Sequence, residues 1–231
     1  MNYFLYHDYI SNSMLGDLQK ALRVQEQMQG LQKIYDFGNL VDAMKTEENK
    51  VDASEMSWTE AGRKVVFQKE EFEKARLMTD ALNADPLLEL AFRDMKPQYM
   101  IFRERFLVEW DGHQIYVKAR CKFDGLKLGH MALDIKTTAC KTQASFEQAF
   151  DFFDYDRQAA WYMDLARVDK MLYIGVSKHK NKRTGKHDVF RIAIKRGDAR
   201  YESGKKKYSR LAVKYHYLIS NLNIDLLILN I

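Results

Sequence analysis

Two cysteines and two prolines are all that 231 residues contain. Cys121 and Cys140 have no CxxC spacing, which excludes a disulfide framework and a cysteine-type zinc site. Both read as free thiols of a reducing compartment. With only Pro86 and Pro97 as interruptions, helices and strands can run long. Long hydrophobic runs are missing too. The most apolar stretch, Ile224–Ile231, is far short of the roughly 20 residues that a membrane-spanning helix needs. The N-terminal residues lack a basic segment ahead of an apolar one and do not read as a signal peptide. The expectation is a cytoplasmic protein with no membrane partner.

What is present describes a globular chain. Hydrophobic residues make up 46% and aromatics 13%, enough for a substantial core. The net charge of +5 is compatible with a polyanionic partner without proving one. The length suits one domain over residues 1–231: an N-terminal helical part (1–98), a sheet-containing core (99–222) and an apolar tail (223–231).

Periodicity supplies the elements. Ser13 is placed to cap a helix reaching about Leu31, and Gly38 to start a short second one. Ser57 and Glu60 have capping-box spacing, which predicts a charge-rich helix from about Trp58 to Ala84, stopped by Asp85-Pro86. From Tyr99 the period changes to two. Tyr99–Trp110 and Gln114–Asp124 read as a hairpin turning at Asp111-Gly112-His113. Ile115, Val117, Ala119, Cys121 and Phe123 share one face of the second strand. Met131–Thr137 is a third strand, with Leu133 and Ile135 facing one way and Asp134 and Lys136 the other. A helix over Ser145–Arg167, strands at Met171–Ser177 and Val189–Ile194, and a helix over Asp198–Leu222 complete the pattern. The order implies an α/β (α+β) fold, a mixed central β-sheet flanked by helices.

Residues 124–162 carry the chemistry. Asp134 and Lys136 are two apart and leave the same face of a strand, and Asp124 ends the strand before it. Two neighbouring carboxylates repel unless a cation lies between them, and hard oxygen ligands suit Mg2+ or Mn2+. The backbone carbonyl of Ile135 is a further candidate ligand. A metal-activated water beside the Lys136 ammonium is equipped to attack phosphate. A D-x-K triplet alone is a weak signal, and the acid at the preceding strand end strengthens it. Gln158 and Tyr162 lie one turn apart on a helix, where Tyr162 also reads as a half-buried core residue. The basic hairpin Lys178–His187 reads first as a solvated turn and second as a phosphate-tracking finger; His179 and His187 flank it as exposed residues, not ligands. Lys205, Lys206 and Lys207 read as surface.

With these residues in place, the chain resembles the PD-(D/E)xK nuclease superfamily, and within it the RecE-type exonuclease domain (exodeoxyribonuclease VIII) of phages and prophages. Leu133-Asp134-Ile135-Lys136-Thr137-Thr138 is similar to the D-x-K-T-T signature, and Lys118–Asp124 to the strand bearing the first catalytic acid. Tyr155–Tyr162 resembles the Q-x-x-x-Y helix, Ile10–Ser13 the opening motif, and Phe37–Asp42 the glycine-led helix. Glu104 stands where a strand-borne glutamate is expected, and Asp42 where the family usually has a histidine. The resemblance implies a restriction-endonuclease-like core and a magnesium-dependent exonuclease on double-stranded DNA that degrades from 5′ ends in phage-type recombination. Asp124 and Asp134 would be metal ligands, joined by Asp42 and Glu104 as secondary candidates, and Lys136 would serve the attacking water. Thr137, Gln158 and Tyr162 would shape the substrate side. Such enzymes work beside a single-strand annealing protein and form ring-like homo-oligomers.

Overall fold

The structure is a computed structural model and describes residues 8–22 and 31–228. Its centre is a five-stranded sheet of β4 (Lys96–Trp110), β5 (His113–Lys127), β6 (Met131–Thr138), β7 (Lys170–Lys180) and β8 (His187–Lys195), in that spatial order. Of its neighbouring strands, β6 and β7 pair in parallel and the others antiparallel. A parallel pair needs a crossover, and α5 (Gln143–Phe152) and α6 (Tyr155–Ala166) supply it. Pro97 is accommodated because β4 is an edge strand. The β4–β5 hairpin turns at Asp111 and Gly112, both at positive φ, the pairing that suits strand twist.

Each face of the sheet has its own core. On the first, Phe123, Ala132 and Tyr173 pack with Leu15 of α1 (Asn12–Leu22), Phe146 and Phe150 of α5, Trp161 of α6, and Leu211 of α7 (Ala199–Ile228). On the second, Leu133, Ile135, Ile174 and Val176 pack with α2 (Leu31–Thr46), α3 (Lys69–Asn83) and α4 (Pro86–Phe92). Strand alternation divides the two: Ala132 enters the first core and Leu133 the second. Burying one such leucine contributes about 1.5–3 kcal/mol. The alternation expected along β5 holds from Ile115 to Phe123, all buried in the first core. It breaks at Asp124-Gly125, because Leu126, three residues past Phe123, lies in that core as well.

Several expected elements are corrected. Residues 57–66 are not helical: β2 (Ser57–Glu60) and β3 (Arg63–Val66) pair as a hairpin, with β1 (Val51–Asp52) on the outer side of β2. Ala61 and Gly62 at positive φ form its turn, and burial of Trp58 and Ser57 holds the strand against the second core. The helix begins at Lys69. It ends at Asn83, ahead of Asp85-Pro86 as expected, and Asp85 then caps a further helix, α4, accepting the amides of Leu87 and Leu88, with Pro86 in the first turn. The expected 145–167 helix is two helices, broken at Asp154, whose φ is 53°. The first of them begins at Gln143, capped by Thr142. Gly38 lies within α2 rather than at its start. The first helix ends its described part at Leu22, and residues 23–30 lie outside the described residues. Of the tail, residues 223–228 continue α7, and 229–231 lie outside the described residues. Cys121 and Cys140 are free thiols. Among the described residues no helix is long and apolar enough to cross a membrane.

Candidate active site

The site forms where β5 and β6 part. They pair only over Gly125–Lys127 against Met131–Leu133, so beyond Leu133 the β6 edge toward β5 is open. An exposed strand edge carries backbone donors and acceptors that need partners. Asp124 answers one: its Oδ2 accepts the Ile135 amide at 2.6 Å. The amide and carbonyl of one strand residue point to the same side, so the Ile135 carbonyl opens toward Asp124 as well.

Asp134 is buried on the first-core side, where Gln158, in the first turn of α6, donates its amide to Oδ1 at 2.8 Å. Lys136 stands 2.5 Å from Asp134 Oδ2. Its ammonium also lies over the rings of Tyr155 and Tyr173, 5.2 and 6.0 Å from their centroids. Burial alone would push Lys136 toward neutrality; Asp134, with Tyr155 and Asp124, overrides it and raises its pKa, so the lysine is a cation.

A third acid arrives from α2. Asp42 is buried; Gln98 donates to its Oδ2 at 2.9 Å, and its Oδ1 has no hydrogen-bond partner. Desolvation, offset in part by the Gln98 bond and reinforced by the charge of Asp134, pushes its pKa up to about 6. Burial, then the charges of Asp42 and Asp134, raise Asp124 well above the usual carboxylate range. The three acids are therefore close enough to repel, with Lys136 among them. An orphaned buried oxygen within three mutually repelling carboxylates fits a hard divalent cation, which prefers oxygen ligands. Among the described residues no three His, Cys, Asp or Glu side chains form a ready-made metal-binding group. Each acid is instead engaged by a neighbouring donor: Asp42 by Gln98, Asp124 by the Ile135 amide, Asp134 by Gln158 and Lys136.

The structure thus brings together Asp42, Asp124, Asp134, Ile135, Lys136 and Gln158. Gln158 is spent on orienting Asp134. Tyr162 packs edge-on against Phe123, its ring centroid 4.9 Å away. Thr137 lies beside α2, its Oγ1 3.5 Å from where a side chain on Gly38 would begin. Glu104 stands apart. It follows Arg103 at a bulge in β4, takes the Tyr9 hydroxyl and lies 3.6 Å from Lys118. Lys118 and Asp124 are six positions apart on β5, about 20 Å of strand and too far to share a cation. His187 is buried rather than exposed, its Nδ1 2.8 Å from the Ser177 carbonyl. Lys207 is not a free surface lysine but pairs with Asp154 and Asp156 at 2.7 and 2.8 Å. Gln98 and Tyr155 were not foreseen in the site. Tyr155 lies in the motif stretch that carries Gln158, whereas nothing local marks Gln98. A cavity of about 430 Å³ lined by Phe106, Asp164, Arg167, Arg196 and Tyr208 opens at the other end of α6, away from the acids.

Residues 13–215 match the family model described as "PDDEXK-like domain of unknown function (DUF3799)". The chain belongs to this PDDEXK-like family. The fold of the family is seen again in a solved structure from Eubacterium rectale, named "Putative exonuclease": TM-score 0.59, 15% identity, with 92% of this chain and 85% of that chain covered. Two further structures align at lower similarity. They are a phage related exonuclease from Haemophilus somnus (TM-score 0.42, 15% identity, 94% and 98% covered) and an alkaline exonuclease from Laribacter hongkongensis (0.40, 13%, 96% and 95%). No curated protein matches the sequence. This PDDEXK-like chain thus has a nuclease-type α+β fold, with its D-x-K strand, β6, in the middle of the sheet.

Proposed function

We propose that this PDDEXK-like protein is a divalent-metal-dependent deoxyribonuclease that degrades linear double-stranded DNA from an end. The observation that carries the reading is the group of buried carboxylates, Asp42, Asp124 and Asp134, gathered beside the Lys136 cation with Asp42 Oδ1 unpartnered. Asp42, Asp124, Asp134 and the Ile135 carbonyl would hold Mg2+ or Mn2+. When bound, such a cation supplies a water of lowered pKa and neutralises charge on the phosphate. The chain's own groups do the rest. Gln158 fixes Asp134 in one rotamer through its 2.8 Å bond, and Gln98 does the same for Asp42. Lys136, kept protonated by Asp134, orients the attacking water or stabilises the charge that builds on phosphate. Thr137, in β6, and Tyr162, in α6, would shape the substrate side. Attack from 5′ ends, an annealing-protein partner and a ring-like assembly are the finer expectations that the RecE-type resemblance adds.

The test is digestion of end-labelled linear duplex with covalently closed plasmid as control, in magnesium, manganese and EDTA. Metal-dependent loss of the linear DNA alone is the expected result, and the label's position gives the polarity. Asp134→Ala and Lys136→Ala should abolish cleavage while the circular dichroism spectrum stays unchanged. Cutting of the circle would make the enzyme an endonuclease, and wild-type rates in both variants would sink the assignment.

A further inference from the structure

Phe152 ends α5 and Phe153 forms the bend into α6, and the two residues are 80% and 57% exposed. Scattered apolar side chains on a surface need no explanation, but two adjoining exposed rings at the rim of a candidate active site do. The bend presenting them is fixed. Asp154, in the left-handed region, is held by Lys207 of α7 at 2.7 Å and by the Gln19 amide of α1 at 2.8 Å. The rings are also continuous with the site. Phe152 meets Phe153 edge-on at 5.0 Å, Phe153 leans on Tyr155 at 5.7 Å, and Tyr155 carries the Lys136 ammonium. These contacts put the Phe153 ring within about 11 Å of Lys136 Nζ, on the order of three nucleotides of rise along one strand. On α2, Ile34 and Tyr35 are about half exposed, and Tyr35 is near enough to Tyr155 to influence its ionisation.

Resting on the nuclease reading, we infer that Phe152 and Phe153 are a stacking platform for unpaired bases at the DNA end, on the strand whose phosphate lies at Lys136. A nucleic acid strand carries its charge on one side and flat apolar faces on the other. Lys136 answers the first and the two rings the second, in a sequence-tolerant way because every base has a π-face. A second copy of the chain fits the rings less well. Their combined exposed area is on the order of 250 Å², well short of the roughly 800 Å² per partner of a stable interface.

The experiment uses the full chain in EDTA, with fluorescence anisotropy on two duplexes of one sequence. One has a three-nucleotide frayed end, and the other is capped at both ends by hairpin loops. Phe152→Ser, alone and with Phe153→Ser, should weaken binding to the frayed end by roughly five- to a hundredfold, leave the capped duplex within about twofold, and be rescued by Phe152→Trp. Equal loss on both duplexes, or no loss on the frayed one, overturns the platform. Frayed-end binding at wild-type strength together with a smaller sedimenting species would make the rings an interface between copies, which also overturns it. Cleavage by the wild type in magnesium is scored separately. End binding through Phe152 without cleavage keeps the platform and removes the nuclease, whereas cleavage indifferent to Phe152 does the reverse. Neither binding nor cleavage by the wild type overturns both.

Discussion

Asp42→Asn should make the cation-free protein more stable at pH 8 and end its activity. The side chain keeps its shape and can still accept from Gln98, but one negative charge leaves the buried group. A carboxyl moved from 3.8 to about 6 strains the folded state at alkaline pH by about 3 kcal/mol, at roughly 1.4 kcal/mol for each tenfold change in the proton equilibrium. The sign follows from proton uptake. With its pKa raised on folding, Asp42 binds more protons in the native state between about pH 4 and 6, so wild-type stability falls as pH rises through that window. The variant, which has nothing to titrate there, should gain nothing at pH 4 and about 3 kcal/mol at pH 8. Urea unfolding in EDTA across that range reads the difference as a shift in midpoint at constant slope. Magnesium should then favour the wild type, by about 2.7 kcal/mol at a hundredfold excess over Kd, and the Asp42→Asn variant by less. A variant no more stable than wild type at pH 8, or a gap that does not close toward pH 4, would refute the reasoning.

Gly204 lets α7 cross α6 at backbone contact, since a side chain there would collide with the Asp156 carbonyl. Gly204→Ala should cost a net ~2 kcal/mol, overpacking outweighing the ~1 kcal/mol of better helix propensity, read as a lower urea midpoint. Lys74 and Lys178 both lie over the Phe37 ring, at 5.9 and 5.2 Å, and burial and Lys74 push Lys178 below its usual pKa. Replacing both with Gln should flatten the salt dependence of DNA binding by a slope of about 1–2; an unchanged slope excludes them from phosphate contact. Burial depresses the His187 pKa below 6.5, so its folded state resists protonation and loses stability as pH falls below that value. His187→Gln should shrink the stability difference between pH 7.5 and 5, and an undiminished difference would locate the acid sensitivity elsewhere.

The sheet was legible because alternation is a local signal. Asp134 and Lys136 share a face on the same arithmetic that puts Leu133 and Ile135 into the second core. The hairpin of Ser57–Val66 was not legible, since Ala61 occupies a left-handed turn position normally signalled by Asn or Asp. Its four-residue strand also carries, by coincidence, capping-box spacing. The helix break at Asp154 was hidden because the stabilising partners, Gln19 and Lys207, are 135 and 53 positions away. Convergence at the site divides the same way. The approach of Asp124 to Ile135 follows from neighbouring strands, and Gln98 comes from β4, the strand beside β5, while Asp42 reaches the site only through packing of α2 on the sheet. Glu104 shows the converse limit: the right residue on the expected strand, but a bulge and about six residues from the acids.

The two-sided core has a consequence for how the protein is made. Asp134, on β6, is oriented by Gln158 of the α6 layer, and Asp42 is carried by α2 on the other face of the sheet. A newly synthesised chain with the α6 layer docked but not α2 lacks Asp42, one of the three acids, and has no enclosed site. Under the proposed function, cutting power appears only with the last step of assembly, which protects the cell's own DNA from partly folded enzyme. It also makes catalytic activity a more demanding gauge of native structure than any spectrum of helix or strand.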